Sequence, residues 1–243
     1  MTAALPLPTP RVVVFDLDFT LVRPGRDFDA EGYVRTGARF GLALHADRWP
    51  EALRAAATAA AARRDETGLV HDAGLLPVIA RSILEGLGGG PACALAQATA
   101  AVVDAWSKTE NFGLYDDVLP CLEALRAGGV RMAVLSNALG HELEETVAHF
   151  ALDEYLDAAV SSVQTGAVKP APRMYSTLLG LLGVEPSDAV MVGDSLEDDV
   201  EGAVACGCAG ILLDRGGRHA GTAAPRISSL AELPAAIGLR PVV

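Results

Sequence analysis

The chain has 243 residues, 51% of them hydrophobic, and its 31 acidic and 19 basic side chains give a formal net charge of −12. This composition supports a substantial core and argues against a basic surface for nucleic acid. No apolar run reaches the roughly 18 residues of a membrane span, which argues against a membrane partner, and the four cysteines lack the spacing of a disulfide framework, which predicts reduced thiols in a cytoplasmic protein.

The chain begins with a predicted flexible tail, which is followed by a buried strand with an acidic end. Three prolines in residues 1–10 favour the tail, whereas Val12–Phe15 form a short apolar run typical of a buried strand. Asp16 and Asp18 follow two residues apart, and side chains at that spacing point to the same side of an extended chain. Two carboxylates so close need a bound cation or a protonated carboxyl, unless the strand ends in a solvated acidic turn.

A long helical segment follows the turn signal at Pro24-Gly25. It covers residues 25–108 and predicts a separate helical module inserted after the first strand. We expect Trp49 and Trp106 to be packing residues rather than a stacking platform. The predicted helices are 28–40, 49–66, 72–87 with Asp72 as its cap, and 92–107 with Pro91 in its first turn.

The rest of the chain alternates strands with helices. This pattern predicts an α/β fold, a Rossmann-like doubly wound parallel sheet with helices on both faces. The core would consist of residues 11–24 and 109–243. We expect strands at 130–135, 158–160, 189–192 and 210–213, and helices at 117–127, 139–150, 172–182, 197–206 and 228–237, the last capped by Ser228 or Ser229.

Polar residues follow the predicted strands, at the edge where parallel sheets of this kind bind ligands. They are Asp16, Asp18 and Thr20 after the first strand, Ser136 and Asn137 after the second, Lys169 beyond the third, and Asp194, Asp198 and Asp199 after the fourth.

These side chains suit phosphoryl transfer. Carboxylates are ligands for Mg²⁺, and Lys169 and the Ser136 hydroxyl suit the oxygens of a phosphate. A carboxylate can attack phosphorus to form an aspartyl-phosphate, and a second carboxyl can protonate the leaving oxygen and then activate water. Asp16 and Asp18 could divide these two roles.

In this order the motifs resemble those of the haloacid dehalogenase-like (HAD) hydrolase superfamily, of the C1-capped phosphatase type. The resemblance spans residues 11–216. The matching motifs are Asp16-Leu17-Asp18-Phe19-Thr20, Ser136-Asn137, Lys169-Pro170 and Gly193-Asp194-Ser195-Leu196-Glu197-Asp198-Asp199.

The resemblance implies a role for each matching residue. Asp16 would be the nucleophile and a Mg²⁺ ligand, and Asp18 would be the general acid/base with its backbone carbonyl also on the metal. Lys169 would neutralise both the nucleophile and the phosphate. Thr20, Ser136 and Asn137 would support or bind the phosphate, and Asp194 and Asp199 would act at the metal, with Asp198 as the alternative to Asp199.

The helical module lies between the first and second motifs, and this placement resembles a C1-type cap that closes over the site. Phe19 stands where many family members carry glycine, and we expect it to narrow the space beside the nucleophile or to pack under the cap. The candidates for substrate contact are Arg23, Arg26, His45, Arg63, Arg64 and His71, among which the sequence does not choose.

The leading interpretation is a Mg²⁺-dependent phosphatase that acts on a small phosphorylated metabolite, as a monomer or homodimer. A phosphomutase of the β-phosphoglucomutase kind would share the site. A 2-haloacid dehalogenase would use the same nucleophile, but it needs no metal and lacks the second aspartate. A non-catalytic binding protein on the same fold is the remaining alternative.

Overall fold

The computed structural model describes residues 5–67, 74–138, 140 and 142–239. These residues form two compact units. The α/β unit takes its described residues from 1–23, 114–138 and 143–243, and the helical unit takes them from 24–113 together with 140 and 142. A cap role for the helical unit stays a prediction. Within the described ranges, no helix has both the length and the apolar character needed to cross a membrane.

A six-stranded parallel sheet forms the centre of the α/β unit. Its strands are β1 (Val12–Phe15), β4 (Arg131–Ser136), β5 (Ala158–Ser161), β6 (Ala189–Gly193), β7 (Ala209–Leu213) and β8 (Arg226–Ile227), while β2 (Val22–Pro24) and β3 (Phe112–Leu114) form a separate two-stranded sheet. The order in the large sheet is β5-β4-β1-β6-β7-β8. Phe15 of β1 therefore lies between Val134 of β4 and Val192 of β6. The predicted parallel sheet is confirmed, and β1 stands where the strand order reverses, the position at which such sheets bind ligands.

Alternate residues of the central strands enter two different cores. Val13 and Phe15 belong to a hydrophobic cluster on one face of the sheet, whereas Val12 and Val14 belong to a cluster on the other. This follows from the two-residue period of a strand, and it explains why β1 is apolar throughout. The doubly wound arrangement expected from the sequence is therefore present.

Helices of the α/β unit cover both faces of this sheet. The helices are α1 (Ala30–Ala38), α2 (Trp49–Thr67), α3 (Leu75–Gly86) and α4 (Ala92–Trp106) in the helical unit, and α5 (Val118–Ala127), α6 (Leu143–His149), α7 (Ser162–Thr165), α8 (Pro172–Leu182), α9 (Gly202–Ala205) and α10 (Leu233–Ala236) in the α/β unit. On one face α5 buries Leu122 and Leu125, and on the other α8 buries Met174 and Leu178. The helix predicted at 172–182 has the observed bounds.

Two predicted helices begin later than expected, each for a local reason. The helix expected from residue 139 begins at Leu143, since Gly140 has φ +103°, which a helix does not allow, and residues 139 and 141 lie outside the described ones. The helix expected at 28–40 begins at Ala30, where Asp29 caps it by accepting the Gly32 N–H at 2.8 Å. The expected cap Asp72 lies outside the described residues.

The last predicted helix, 228–237, divides into a 3₁₀ turn at Leu230–Glu232 and the short α10. Pro234 near the start of α10 has no N–H to continue the preceding turn. Of the two serines expected as a cap, Ser229 serves, because its hydroxyl accepts the Ala231 N–H at 3.2 Å.

The expectation of a flexible tail over residues 1–10 is wrong for Leu7. Its side chain is buried, and its N–H donates to the Ala236 carbonyl at 2.7 Å. Burial of an apolar side chain and one backbone hydrogen bond explain why this segment is ordered against the end of α10. Residues 1–4 lie outside the described ones.

The helical unit has its own hydrophobic core. Tyr33 of α1, Ala52 of α2 and Leu84 of α3 are among its buried residues. Trp106 packs edge-on against Phe28 and Phe112, with ring centroids 4.8 and 5.1 Å away. Trp49 packs on Tyr33 at 5.6 Å. Both tryptophans are therefore packing residues, as predicted.

Arg215, directly after the loop-forming Asp214, ties distant segments of the α/β unit together. Its guanidinium donates to both carboxylate oxygens of Asp117 at 2.8 and 2.9 Å and to the Thr20 carbonyl at 3.0 Å. Asp117 also accepts from the Ser229 hydroxyl at 2.6 Å and from the Leu230 N–H at 2.9 Å. Partial burial acts to raise the pKa of Asp117, but these hydrogen bonds outweigh it and leave the pKa below its ordinary value. The loop that follows β1 is thereby fixed to two other segments.

We expect Asp117→Asn to lower the free energy of unfolding by about 2 kcal/mol at pH 7, because Arg215 loses its counter-charge. The carboxyl has a depressed pKa in the folded state, so its contribution is present above the unfolded pKa and is lost as the pH falls below it. Urea unfolding at pH 7 and at about pH 3 should therefore show a deficit that shrinks on acidification. Asp116→Asn is the matched control, since Asp116 pairs with Arg23 at the surface. An equal loss in the two variants would contradict this assignment.

Candidate active site

The nucleophile candidate Asp16 is held at the carboxyl end of the central strand. Its N–H continues the ladder by donating to the Val192 carbonyl at 2.9 Å. Only 7% of Asp16 is exposed, and Asp18 is buried to a similar degree. The backbone therefore fixes both carboxylates at the edge of the sheet where β1 and β6 end.

Lys169 joins two of the predicted acidic residues in the interior. Its Nζ lies 2.6 Å from Asp16 Oδ1 and 2.7 Å from Asp199 Oδ1, and its side chain is 2% exposed. The Lys169 N–H donates to Asn137 Oδ1 at 2.7 Å, which fixes the lysine backbone against the end of β4. A buried ammonium with two carboxylate partners satisfies the rule that buried charges are paired.

The carboxylate of Asp199 is positioned in the site by Gly193 and Ser195, which precede it in the chain. Its second oxygen, Oδ2, accepts the Ser195 N–H at 3.0 Å. A side chain on Gly193 would place a Cβ 2.1 Å from that oxygen, so only glycine leaves room for the carboxylate. The helix predicted at 197–206 begins instead as a π-helical turn at Leu196–Glu201, in which the Val200 N–H reaches the Ser195 carbonyl at 3.4 Å. Such turns are frequent at functional sites.

Asp16, Asp194 and Asp199 form the candidate metal centre. One carboxylate oxygen of each lies within 4.8 Å of the others. Oxygen donors at this spacing fit a hard divalent cation such as Mg²⁺, which takes one or two protein carboxylates and keeps several waters. Asp199 belongs to this group, whereas the backbone of Asp198 is held by Ser195 Oγ and by the Tyr175 hydroxyl. The geometry therefore favours Asp199 over Asp198 as the second acidic residue of the fourth motif.

The pKa values of the clustered residues reflect burial and the repulsion between neighbouring carboxylates. Burial raises the pKa of Asp16 well above its ordinary value, the Lys169 ammonium opposes that shift, and Asp199, Asp194 and Asp18 reinforce it. Burial and the charge of Asp199 raise the pKa of Asp194 to about 6. Burial acts to lower the pKa of Lys169, but Asp16 and Asp199 outweigh it and keep the amine charged. A bound cation would remove much of this repulsion.

The predicted phosphate ligands lie at the ends of β1 and β4. Ser136 and Asn137 are buried, and Ser136 Oγ accepts the Ala138 N–H at 3.0 Å. Thr20 is fully buried, and its hydroxyl has no hydrogen-bond partner among the described residues. Asn137 lies beside Lys169, and Ser136 precedes it at the end of β4. That these residues and Thr20 bind a phosphate stays a prediction.

Phe19 adopts a left-handed backbone, with φ +62°. This conformation explains why glycine suits the position, because a Cβ is unfavourable there. The Phe19 N–H donates to the Val22 carbonyl at 2.8 Å, and the ring is 38% exposed. The backbone of the first motif is therefore strained at Phe19, between Asp18 and Thr20.

The candidates for substrate contact are not brought into one cluster. Arg23 is in the α/β unit, where it pairs with Asp116 at 3.2 Å and lies 5.8 Å from the Tyr115 ring. Arg26 and His45 are exposed within the helical unit. Arg63 is half-buried there, and the Arg64 side chain and His71 lie outside what the structure describes. Which of them contacts substrate stays a prediction.

Sequence reasoning missed Arg218, which pairs with Asp194. Its Nη2 lies 3.7 Å from Asp194 Oδ2. No motif marks this residue, since it follows β7 in an irregular loop beyond the fourth motif. Its placement depends on the fold of that loop rather than on any spacing in the sequence.

Comparisons with known proteins show which family the chain is similar to. A model of the haloacid dehalogenase-like hydrolases matches residues 10–207. The N-acylneuraminate-9-phosphatase of Mus musculus is 36% identical over 137 residues, which are 54% of this chain and 55% of that protein. The ribulose-1,5-bisphosphate 5-phosphatase of Halopiger xanaduensis is 36% identical over 110 residues, which are 45% of this chain and 46% of that protein. The chain thus spans about half the length of the curated relatives it matches.

Solved structures share the fold over nearly the whole chain. A HAD phosphatase from Thermococcus onnurineus has a TM-score of 0.61 at 24% identity, covering 96% of this chain and 100% of its own. A 2-haloacid dehalogenase from Pseudomonas syringae pv. Tomato has a TM-score of 0.59 at 22% identity, and the match covers 94% of this chain and 98% of that protein. The same fold therefore serves a phosphatase and a dehalogenase, and the choice between them depends on side chains.

We expect Phe19→Gly to be more stable than Phe19→Ala by about 1 kcal/mol, because both variants remove the ring but only glycine tolerates the left-handed backbone. The free energies of unfolding in urea would give this difference directly. Leu17→Gly and Leu17→Ala provide a control pair, since Leu17 has no positive φ and glycine should there be the less stable of the two. Equal stability of the two Phe19 variants would argue against strain at this position.

We expect Lys169→Gln to lower the free energy of unfolding by roughly 3–5 kcal/mol at neutral pH, because two buried carboxylates lose their cation. In the variant the pKa of Asp16, already raised by burial, rises further above its unfolded value because the opposing ammonium is gone. A raised carboxyl pKa lowers stability as the pH rises through it, so the deficit should be larger at pH 8 than at pH 5. Urea unfolding at both pH values measures this. Lys108→Gln is the control, since Lys108 forms an exposed pair with Asp104 and should change stability far less than Lys169→Gln does.

Proposed function

The chain belongs to the haloacid dehalogenase-like hydrolases, and from this premise we propose that it is a Mg²⁺-dependent phosphatase of a small phosphorylated metabolite, acting through an aspartyl-phosphate. The observation that carries the proposal is the buried Asp16–Lys169–Asp199 arrangement, with Asp194 completing an acidic cluster beside it. The curated relatives with phosphatase names support the same class of reaction.

Asp16 is the proposed nucleophile. Lys169 binds Asp16 Oδ1 at 2.6 Å, so we assign the attack on phosphorus to Oδ2. A bond forms between this oxygen and phosphorus as the bond from phosphorus to the leaving oxygen breaks. Asp18, in its protonated form, donates its proton to that leaving oxygen. The products of this step are the free alcohol and an aspartyl-phosphate on Asp16.

The second step returns the enzyme to its starting state. Asp18, now a carboxylate, accepts a proton from a water molecule as the water oxygen attacks phosphorus. The bond between Asp16 and phosphorus breaks, and inorganic phosphate leaves. Lys169, Ser136, Asn137 and Thr20 would hold the phosphate oxygens during both steps. The carboxylate of Asp199 and the amide of Asn137 orient Lys169 for this task.

The acidic cluster is the proposed place for Mg²⁺. Asp16 and Asp194 would be its carboxylate ligands, the Asp18 carbonyl would contribute a backbone oxygen, and Asp199 would act directly or through water. When bound, the ion supplies positive charge that offsets the charge of the phosphoryl oxygens. The helical unit, from its insertion between the first two motifs, is proposed to serve as a C1-type cap.

A 2-haloacid dehalogenase is the second candidate, because one solved structure of that activity shares the fold. It would use Asp16 on carbon without a metal. The grouping of Asp194 with Asp16 and Asp199 favours the phosphatase, since a metal-free reaction gives no reason to bring three carboxylates together. A phosphomutase would differ from the phosphatase in requiring a sugar bisphosphate for activity.

We expect Asp16→Asn to reduce hydrolysis of p-nitrophenyl phosphate to background and Asp18→Asn to reduce kcat by roughly 10²–10⁴-fold, since Asn can neither attack phosphorus nor transfer the proton. Removal of divalent cations with EDTA should abolish activity, and Mg²⁺ should restore it. Asp198→Asn should stay active, because Asp198 is outside the acidic cluster.

Steady-state assays with Mg²⁺, together with chloride release from 2-chloropropionate, test both candidate functions. Activity that survives Asp16→Asn would exclude Asp16 as the nucleophile. Chloride release that is indifferent to EDTA would establish the dehalogenase instead.

A further inference from the structure

The proposed mechanism does not use Arg218, a cation at the edge of the acidic site. Its Nη2 is 3.7 Å from Asp194 Oδ2, and 71% of its side chain is exposed. This distance is at the outer limit for an ion pair and too long for a hydrogen bond. Among the described residues, Asp194 is the one acid with which its guanidinium pairs. Arg218 therefore holds Asp194 weakly, and most of its donors face solvent.

The backbone that carries Arg218 is fixed, in contrast to its side chain. The buried carboxylate of Asp214 accepts the N–H groups of Arg218 and His219 at 2.8 and 2.9 Å. The Arg226 guanidinium pairs with the same carboxylate at 3.0 Å, and the Asp214 side chain is only 2% exposed. The loop after β7 is thus built around Asp214, and it presents Arg218 beside Asp194 at a defined position.

Asp194 cannot serve Arg218 and a divalent cation equally well. A metal ion on its carboxylate would repel the guanidinium, and the weaker of the two contacts would give way. Lys169 is already used by Asp16 and Asp199 in the interior. Arg218 would then be a cation at the rim of a strongly acidic site, in a chain whose net charge of −12 repels anionic substrates.

We propose that Arg218 binds a second anionic group, a carboxylate or a second phosphate, on the leaving group of the substrate. The inference rests on the proposed phosphatase function and narrows its substrate class to phosphomonoesters with two anionic groups. A guanidinium suits this role because its planar fork donates two parallel hydrogen bonds to a carboxylate or phosphate. Arg218 is thereby a specificity-determining residue rather than a participant in phosphoryl transfer.

Two matched pairs of substrates test the proposal. In the first pair, 3-phosphoglycerate has a carboxylate where glycerol 3-phosphate has a hydroxymethyl group. In the second pair, ribulose 1,5-bisphosphate has a second phosphate that ribulose 5-phosphate lacks. We expect the wild-type protein to prefer the doubly anionic member of at least one pair. Arg218→Gln should lower kcat/KM for that member by roughly tenfold or more and change the other by less than about twofold. Arg218→Lys should retain part of the preference, since it keeps the charge but loses the fork.

Arg11→Gln is the control for the loss of one exposed arginine. Arg11 pairs with Asp188 before the amino end of β1, at the opposite edge of the sheet, so the substrate ratio should not change. A parallel fall for both members of a pair, or a wild-type protein with no preference in either pair, would overturn the role of Arg218. A wild-type protein that hydrolyses none of these compounds and no p-nitrophenyl phosphate would instead defeat the proposed phosphatase function.

Calorimetric titration of Mg²⁺ without substrate separates specificity from support of the metal centre. Because Arg218 and the ion compete for Asp194, Arg218→Gln should bind Mg²⁺ with an unchanged or lower dissociation constant. Weaker Mg²⁺ binding would mean that Arg218 supports the metal centre, and it would overturn the proposal.

Discussion

The buried ammonium of Lys169 is the interaction on which the rest of the site depends. Without it, Asp16 and Asp199 would be two unpaired carboxylates in an apolar interior, where each charge is costly. The chain has 19 basic residues and only two are lysine, yet one of these occupies this position. A compact point charge can lie between two carboxylates at 2.6 and 2.7 Å, which a planar guanidinium would fit less well. The identity of this residue therefore follows from geometry as well as from charge.

The sheet order brings the partners of Lys169 together. β1 lies between β4 and β6, so the residues that follow these three strands meet at one edge. Asp16 comes from β1, Asn137 from β4, and Asp199 from the turn after β6. Each is buried, and each is bound to another member of the group or to a backbone N–H. A polar cluster survives in the interior under these conditions because its members satisfy one another.

The sequence was sufficient to predict the parallel sheet, five of its six strands and the order of the site residues along the chain, but not β8 or the small sheet of β2 and β3. Strong apolar runs such as β1, and a helix bounded by Pro172 and Gly183, carry local signals that tertiary contacts do not override. The positions of the catalytic candidates could be predicted because the carboxyl ends of parallel strands lie at the same edge of the sheet. These predictions depended on local patterns and one topological rule.

What the sequence could not predict depends on contacts between distant residues. Arg215 binds Asp117 and the Thr20 carbonyl across separations of 98 and 195 residues, and no local pattern announces either pairing. The π-helical turn after Ser195 has the composition of an ordinary helix, and its width shows only in its hydrogen bonds. Arg218 was missed for the same reason, since its neighbourhood is created by the buried Asp214.

The same constraints make the site a region where stability and function oppose one another. Phe19 is strained, and the pKa of Asp194 is raised to about 6 by burial and by Asp199, so the charged form is disfavoured in the folded chain. Arg218 and Lys169 offset part of this charge, but they face the three carboxylates of Asp16, Asp194 and Asp199. A cation bound to the cluster would lower the free energy of the folded state because it binds that state and not the unfolded chain. The clustered acidity that destabilises the folded chain is therefore the property that would give the site affinity for a metal, and the weak contact between Arg218 and Asp194 leaves that carboxylate accessible to one.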